Sequence, residues 1–294
     1  MLCRPQHGGS SQRFHAIRNT SPLAAFSHGE RRSLSMPTAR DWRDPVVGDE
    51  GAALQSCDIA IGYLSRNPRY CRDYDTALEA VGRGDNSAEA ATEALIETWG
   101  LSFVVAPAKP YDPQAVIARP DVAPANVVLI EAPATLPEAC PINLNEAGTI
   151  STQLNLSCGS YTVLADPQGD HHVWQLAPPG RPLALVIPNG PYRGIRLAAA
   201  QRLHRHLRGV LSGLPPLLLS DKAREHHRWL LRALDARLAG AKPREMAAIM
   251  IGEHVRGFNA AEWCDSRERR KISRWSAAAT KLMTGGYLRL LCER

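Results

Sequence analysis

Residues 266–286 read SRERRKISRWSAAATKLMTGG. Wound as an α-helix, this stretch puts Arg267, Arg270, Lys271, Arg274 and Lys281 on one stripe of the cylinder. Ile272, Trp275, Ala279 and Leu282 fall on another. One side can anchor the helix to a core while the other presents guanidinium groups to something negative. Arg269 lies off the stripe and Lys281 occupies a late turn, so both flank it. Only Glu268 offsets these six bases between residues 266 and 281.

Two shorter helical patterns come just before. The first runs from a Ser220 cap to about Leu238, with Leu230, Leu231, Leu234 and Leu238 inward, and stops at Gly240. The second starts at Pro243, a residue suited to a first helical position, and ends at Met250 before Gly252; Met246, Ile249 and Met250 face inward. Helix, Gly turn, helix and basic helix is the order of a helix-turn-helix module, placed here at residues 211–294. The spacing departs from that pattern, because such modules use a turn of ~3–4 residues and here Gly252–Cys264 intervenes. Either the third helix begins near Asn259 or the module carries an insertion, which leaves the angle of the basic helix open.

The chemistry of the stripe points to double-stranded DNA. Arginine offers a planar fork that matches guanine O6 and N7 or straddles a phosphate, and lysine acts as a point charge. A recognition helix reads bases mainly from its N-terminal turns, so Arg267, Arg270, Lys271 and Arg274 are the first candidates. Charge is concentrated in the same region. The chain carries +6 overall, yet Ser220–Arg294 holds sixteen Lys and Arg against nine Asp and Glu. The rest is close to neutral, as expected for a basic module joined to a neutral one. A second basic run, RLHRHLRG at 202–209, is either a contact to the DNA backbone or, the preferred reading, a surface helix packed on a sheet, with Leu197, Ala200, Leu203 and Leu207 inward and Arg202, Arg205 and Arg208 outward.

Other chemistries find little support. Phosphate loops, dinucleotide fingerprints, HExxH and GxSxG are all missing, so no catalytic residues are assigned and an enzyme is not expected. Asp41 and Asp44 flank Trp42, and Cys57 and Cys71 lie near bases, without ordering into a site. His171-His172 and His226-His227 are adjacent pairs whose side chains diverge in a strand or on a helix, so no metal and no cofactor is expected. Seven cysteines without paired spacing suggest reduced thiols in a cytoplasm. No apolar run approaches the ~18 residues of a membrane span.

Upstream, residues 1–36 are rich in Arg, Ser, Gly and His and read as a disordered arm or an over-extended start before Met36. Residues 37–125 read as helical, with helices over Ala53–Asn67, Asp73–Val81 and Ser87–Trp99 and a segment of five prolines at 107–124. Residues 126–210 read as a small antiparallel sheet followed by a helix over 191–209. Its strands are Val127–Glu131, Thr152–Leu156, Tyr161–Ala165, His172–Leu176 and Leu183–Ile187, divided by turn chemistry such as DPQGD at 166–170. The expected class is α+β, with a helical N-terminal region, a β-rich middle and an all-α C-terminal module.

Several of these patterns resemble a known family. DWRDP at 41–45, YLSRNPRYCRDY at 63–74 and TWGLSFVVAP at 98–107 resemble a proteobacterial transcriptional regulator-like N-terminal domain. LLRALDARLAGAKPREMAAIMIG at 230–252, the Arg-rich helix and GGYLRLL at 285–291 resemble a C-terminal helix-turn-helix domain found with it in regulators of integrative and conjugative elements. The resemblance covers residues 37–294. It implies a transcriptional activator of excision or transfer genes, held in check by an antiactivator protein related to the C-terminal domain. RNA polymerase is a further expected partner, and homodimerisation is expected because such modules commonly read two half-sites. The other reading is a docking module that keeps the fold without reading DNA; such a module would lose its basic stripe, and this chain keeps it.

Overall fold

The computed structural model describes residues 42–43, 56–99, 119–156 and 159–292. The expected arm at 1–36 and most of the proline-containing segment lie outside them, as do Asp41, Asp44 and the Cys57 side chain. Three helices come first: α1 (Ser56–Leu64), α2 (Pro68–Arg83) and α3 (Ala88–Trp99). Here α2 begins a full turn before the expected Asp73. Asn67 caps it, accepting from the Arg69 N–H at 2.9 Å, and Pro68 takes the first helical position. Ser87 caps α3 through a hydrogen bond from the Ala90 N–H at 3.1 Å.

The middle is a five-stranded sheet of β1 (Val127–Glu131), β2 (Ile150–Leu156), β3 (Gly159–Leu164), β4 (His171–Gln175) and β5 (Leu183–Leu185). Its order is β2-β3-β4-β1-β5. One pairing differs from the expected antiparallel sheet, since β1 runs parallel to β4 in the register Val127↔Val173. The VVLIE run of β1 is largely apolar and takes an inner position, with Leu129 fully buried. The loop at 132–149 carries the chain from β1 to the edge strand β2, and the β2–β3 hairpin returns it to β4, the crossover that parallel neighbours require. Helix α4 (Arg193–Leu207) covers one face, where Ala199 and Leu203 pack on Val127, Leu129, Leu164 and Val173.

Two expected orientations on α4 are reversed. Leu197 is exposed and Arg202 is buried. The Arg202 guanidinium donates to the carbonyls of Gly213 and Gly169, both at 2.7 Å, which satisfies a charge that burial would otherwise penalise. Gly159 opens β3 with φ 139°, and a Cβ there would lie 2.4 Å from the Gln175 carbonyl. Gly159→Ala is expected to cost about 2–3 kcal/mol, read as a lower urea midpoint. An unchanged midpoint would show that the hairpin re-registers freely.

The C-terminal part holds α5 (Asp221–Leu238), α6 (Pro243–Met250), α7 (Ala260–Asp265), α8 (Arg267–Lys281) and α9 (Leu288–Cys292). Ser220 caps α5, as expected, and Gly240 with φ 75° follows its end. α5 is the shared pillar of two cores. Leu230 and Leu234 face Tyr63, Leu64 and Tyr70 from the N-terminal helices together with Ala279, Met283 and Tyr287. Ala233 and Ala236 face Trp42, Met246, Val255 and Ile272. Leu238, expected inward, is exposed, while Ala236 in the same turn faces the second core. Among the described residues no helix is long and apolar enough to cross a membrane.

Candidate nucleic-acid interface

The stretch between α6 and α8 is neither a simple turn nor an early start of the basic helix. A 3-10 turn at Glu253–Gly257 is followed by α7, capped reciprocally by Asn259 and Glu262. Arg244 holds this excursion, donating to the carbonyls of Arg256 at 3.1 Å and Phe258. α7 and α8 then break at Ser266, whose extended backbone (φ −66°, ψ 146°) cannot continue a helix. Its hydroxyl donates to the Trp263 carbonyl at 2.9 Å and accepts from the Arg269 N–H at 3.1 Å. One serine thus ends α7 and caps α8.

The inner side of α8 buries Ile272 and Ala279. Trp275 stacks on Trp229 of α5 with centroids 5.6 Å apart and planes 14° from parallel. Glu268, the one acid on the helix, is buried and turned inward. It sits in the first turn, where the helix dipole favours a negative charge. A hydrogen bond from Arg267 at 2.9 Å holds its carboxyl below the usual carboxylate range.

All six predicted bases are exposed. A groove at the α7–α8 junction brings together Arg267, Arg269, Arg270 and Arg274 with Ser273 and Cys264. Lys271 leaves this group, its ammonium lying 4.7 Å from the Trp275 ring centroid. Lys281 lies three turns on and does not line the groove. Arg269, off the stripe on an isolated helix, becomes a wall because α7 closes that side; it donates to the Cys264 carbonyl at 3.0 Å. Among the described residues no hydrogen bond or ion pair engages Arg270, Arg274 or Lys281. The Arg270 and Arg274 cations face solvent in the first half of α8, an arrangement suited to phosphate and base edges. Ser273, missed from sequence, adds a hydroxyl to the same groove.

A second polar cluster was also missed. The His171-His172 pair diverges as strand alternation requires, but His171 meets Asp166, His206 and Ser212 from other elements. Only the fold brings them together. In the helical body, His227 of α5 lies 3.0 Å from the Tyr63 hydroxyl. Burial, reinforced by His226, lowers its pKa to about 4. Between pH 6.5 and about 4 the unfolded chain takes up a proton that the folded chain refuses, so stability falls as pH falls through that window. His227→Gln is expected to remove part of this loss, read as a flatter Tm-against-pH curve measured with chelator. An unchanged curve would assign the acid sensitivity elsewhere.

Comparison with known proteins matches three stretches of the chain. Residues 41–104 match the model of a proteobacterial transcriptional regulator-like domain. Residues 125–185, which span the sheet, match a domain of unknown function. Residues 186–292, from α4 onward, match the DNA-binding domain of a type VI secretion (T6SS) transcription factor. No curated protein matches the chain. The matched domains make the chain a transcriptional regulator with a DNA-binding domain.

Proposed function

We propose that the chain is a transcriptional activator that sets the N-terminal turns of α8 into the DNA major groove. α6 and α8 then act as an interrupted helix-turn-helix, with the 3-10 turn and α7 as the insertion. The supporting observation is the groove lined by Arg267, Arg269, Arg270 and Arg274, with Glu268, the one acid on the helix, taken up by a bond from Arg267. Arg269 and Lys271, each held by a neighbour, position the helix on the backbone; Arg270 and Arg274 reach base edges. The role is regulatory and no catalytic step is assigned to it.

The resemblance to regulators of integrative and conjugative elements favours excision or transfer genes as targets. The match to the DNA-binding domain of a type VI secretion transcription factor adds secretion genes to the promoters worth testing. Binding of the full chain to such promoters, with scrambled duplex as competitor, is measured against rising salt. Neutralising four to six phosphates predicts a slope of log affinity against log salt of roughly −4 to −5. Preference for one promoter should persist as salt rises. Weak binding that ignores sequence and vanishes with salt would overturn the reading in favour of a docking module, with an antiactivator or RNA polymerase as its partner. A second copy of the chain would appear as a two-fold repeat in the protected site.

A further inference from the structure

Four side chains meet where the sheet joins α4. Asp166 lies in the β3–β4 turn, His171 opens β4, His206 is in the last turn of α4, and Ser212 follows in the next loop. Asp166 Oδ2 is 3.2 Å from His171 Nε2, 3.1 Å from His206 Nδ1 and 2.6 Å from Ser212 Oγ. His171 Nε2 is 3.3 Å from the same hydroxyl. Asp166 and His171 side chains are only 7% and 1% exposed, and His206 is 15% exposed.

A single carboxylate oxygen has two lone pairs, and here three potential donors crowd it. Hydrogen bonds alone leave at least one contact poorly served. A cation removes the conflict, because both imidazole nitrogens and the carboxylate oxygen then present lone pairs to it. The two carboxylate–imidazole distances, 3.2 and 3.1 Å, also fit, since ligands ~2.0–2.1 Å from a tetrahedral zinc ion lie ~3.3 Å from one another, whereas Ser212 at 2.6 Å is a hydrogen-bond donor to the carboxylate. A Ser-His-Asp catalytic relay does not fit, since Asp166 and Ser212 meet the same nitrogen of His171 rather than opposite ones. The two-nitrogen, oxygen-rich donor set suits zinc, cobalt or nickel better than a thiophilic ion.

We propose that Asp166, His171 and His206 bind a divalent transition cation of the zinc class, with a water as fourth ligand and Ser212 hydrogen-bonded to the Asp166 carboxylate. The bound ion clamps the sheet to α4. Asp166 and His171 belong to the part matched by the domain of unknown function, and His206 and Ser212 to the DNA-binding part, so occupancy joins the two. Two features moderate the affinity. Arg202 places a buried cation near the site, bonded to Gly169 of the same turn. His206 Nε2 is buried without a hydrogen-bond partner among the described residues, whereas a metal-bound imidazole usually donates from its other nitrogen. An exchangeable ion fits these constraints better than a permanent one.

The test uses the full chain stripped with chelator and titrated with Co2+, whose visible spectrum reports its ligands. The expected result is one ion per chain with the d–d bands of a tetrahedral nitrogen–oxygen site, displaced by Zn2+. His206→Gln keeps a donor for Asp166 but loses the imidazole, and should weaken binding at least ~10-fold with the circular dichroism unchanged. Ser212→Ala should keep the d–d spectrum. Wild-type chain that shows no d–d bands, or only thiolate charge transfer from cysteines, overturns the proposal without reference to any variant. Undiminished binding by folded His206→Gln does the same and leaves the cluster a hydrogen-bonded staple.

Discussion

Replacing Arg270 and Arg274 together by Ala is expected to reduce affinity for the cognate duplex by on the order of 100-fold or more, with Tm almost unmoved. Each base or phosphate contact of this type is worth ~1–3 kcal/mol, and 1.4 kcal/mol is tenfold in affinity. Both side chains are exposed, and among the described residues neither makes a hydrogen bond or ion pair. Their removal therefore leaves the fold intact, and a loss of binding reports the surface alone. The salt slope should flatten by about 2 if both arginines meet phosphates, and by less if they read bases. Arg270→Lys with Arg274→Lys separates these cases: charge persists and the planar fork is lost, so non-specific binding survives while promoter preference falls. Lys281→Ala is the control, distant from the groove and expected to change affinity less than ~5-fold. Unaltered promoter affinity in the double Ala variant would remove α8 from the interface.

The helices and their caps were legible in the sequence because they depend on local chemistry. Ser220, Ser87 and Pro243 announced their helices, and β1 fell on its expected residues. The basic stripe was legible for the same reason, since residue spacing on a helix needs no partner. What required the third dimension was hidden. The parallel pairing of β1 with β4 depends on where long connections return. Arg202 looked like a surface cation because its carbonyl acceptors at Gly169 and Gly213 lie far along the chain. Arg269 counted as a flank until α7 closed the groove beside it. The Asp166–His171–His206 cluster draws on three elements, so neighbour-pair reasoning about His171-His172 was sound about that pair and blind to the site.

Arg66→Ala is expected to destabilise the protein by about 3–5 kcal/mol, the usual cost of stripping one partner from a buried ion pair. Arg66 follows α1 and grips Asp235 of α5 with two bonds, Nε to Oδ1 at 2.5 Å and Nη2 to Oδ2 at 2.9 Å. The two side chains are 14% and 13% exposed, so Asp235 would be left with a carboxylate that water barely reaches. Arg66 also donates to the Gly62 carbonyl at 2.6 Å, locking the end of α1. Gly62 in turn lies so close to α5 that a Cβ there would stand 3.3 Å from a Leu231 methyl. The consequence reaches α8. Asn67, next along the chain, donates from its side chain to the Met283 carbonyl at 3.0 Å, just past the end of α8. Tyr63 and Leu64 share a core with Ala279 of α8 itself. The regulator-like helices thus buttress the far end of α8, and calorimetry of Arg66→Ala should show one transition moved down by about 10 °C. Arg66→Met with Asp235→Leu removes both charges and should recover much of the loss, because the cost lies in the orphaned carboxylate rather than in the missing bond. Two separate transitions, with only the smaller one shifted, would mean that α1–α3 fold apart from α8 and give it no support.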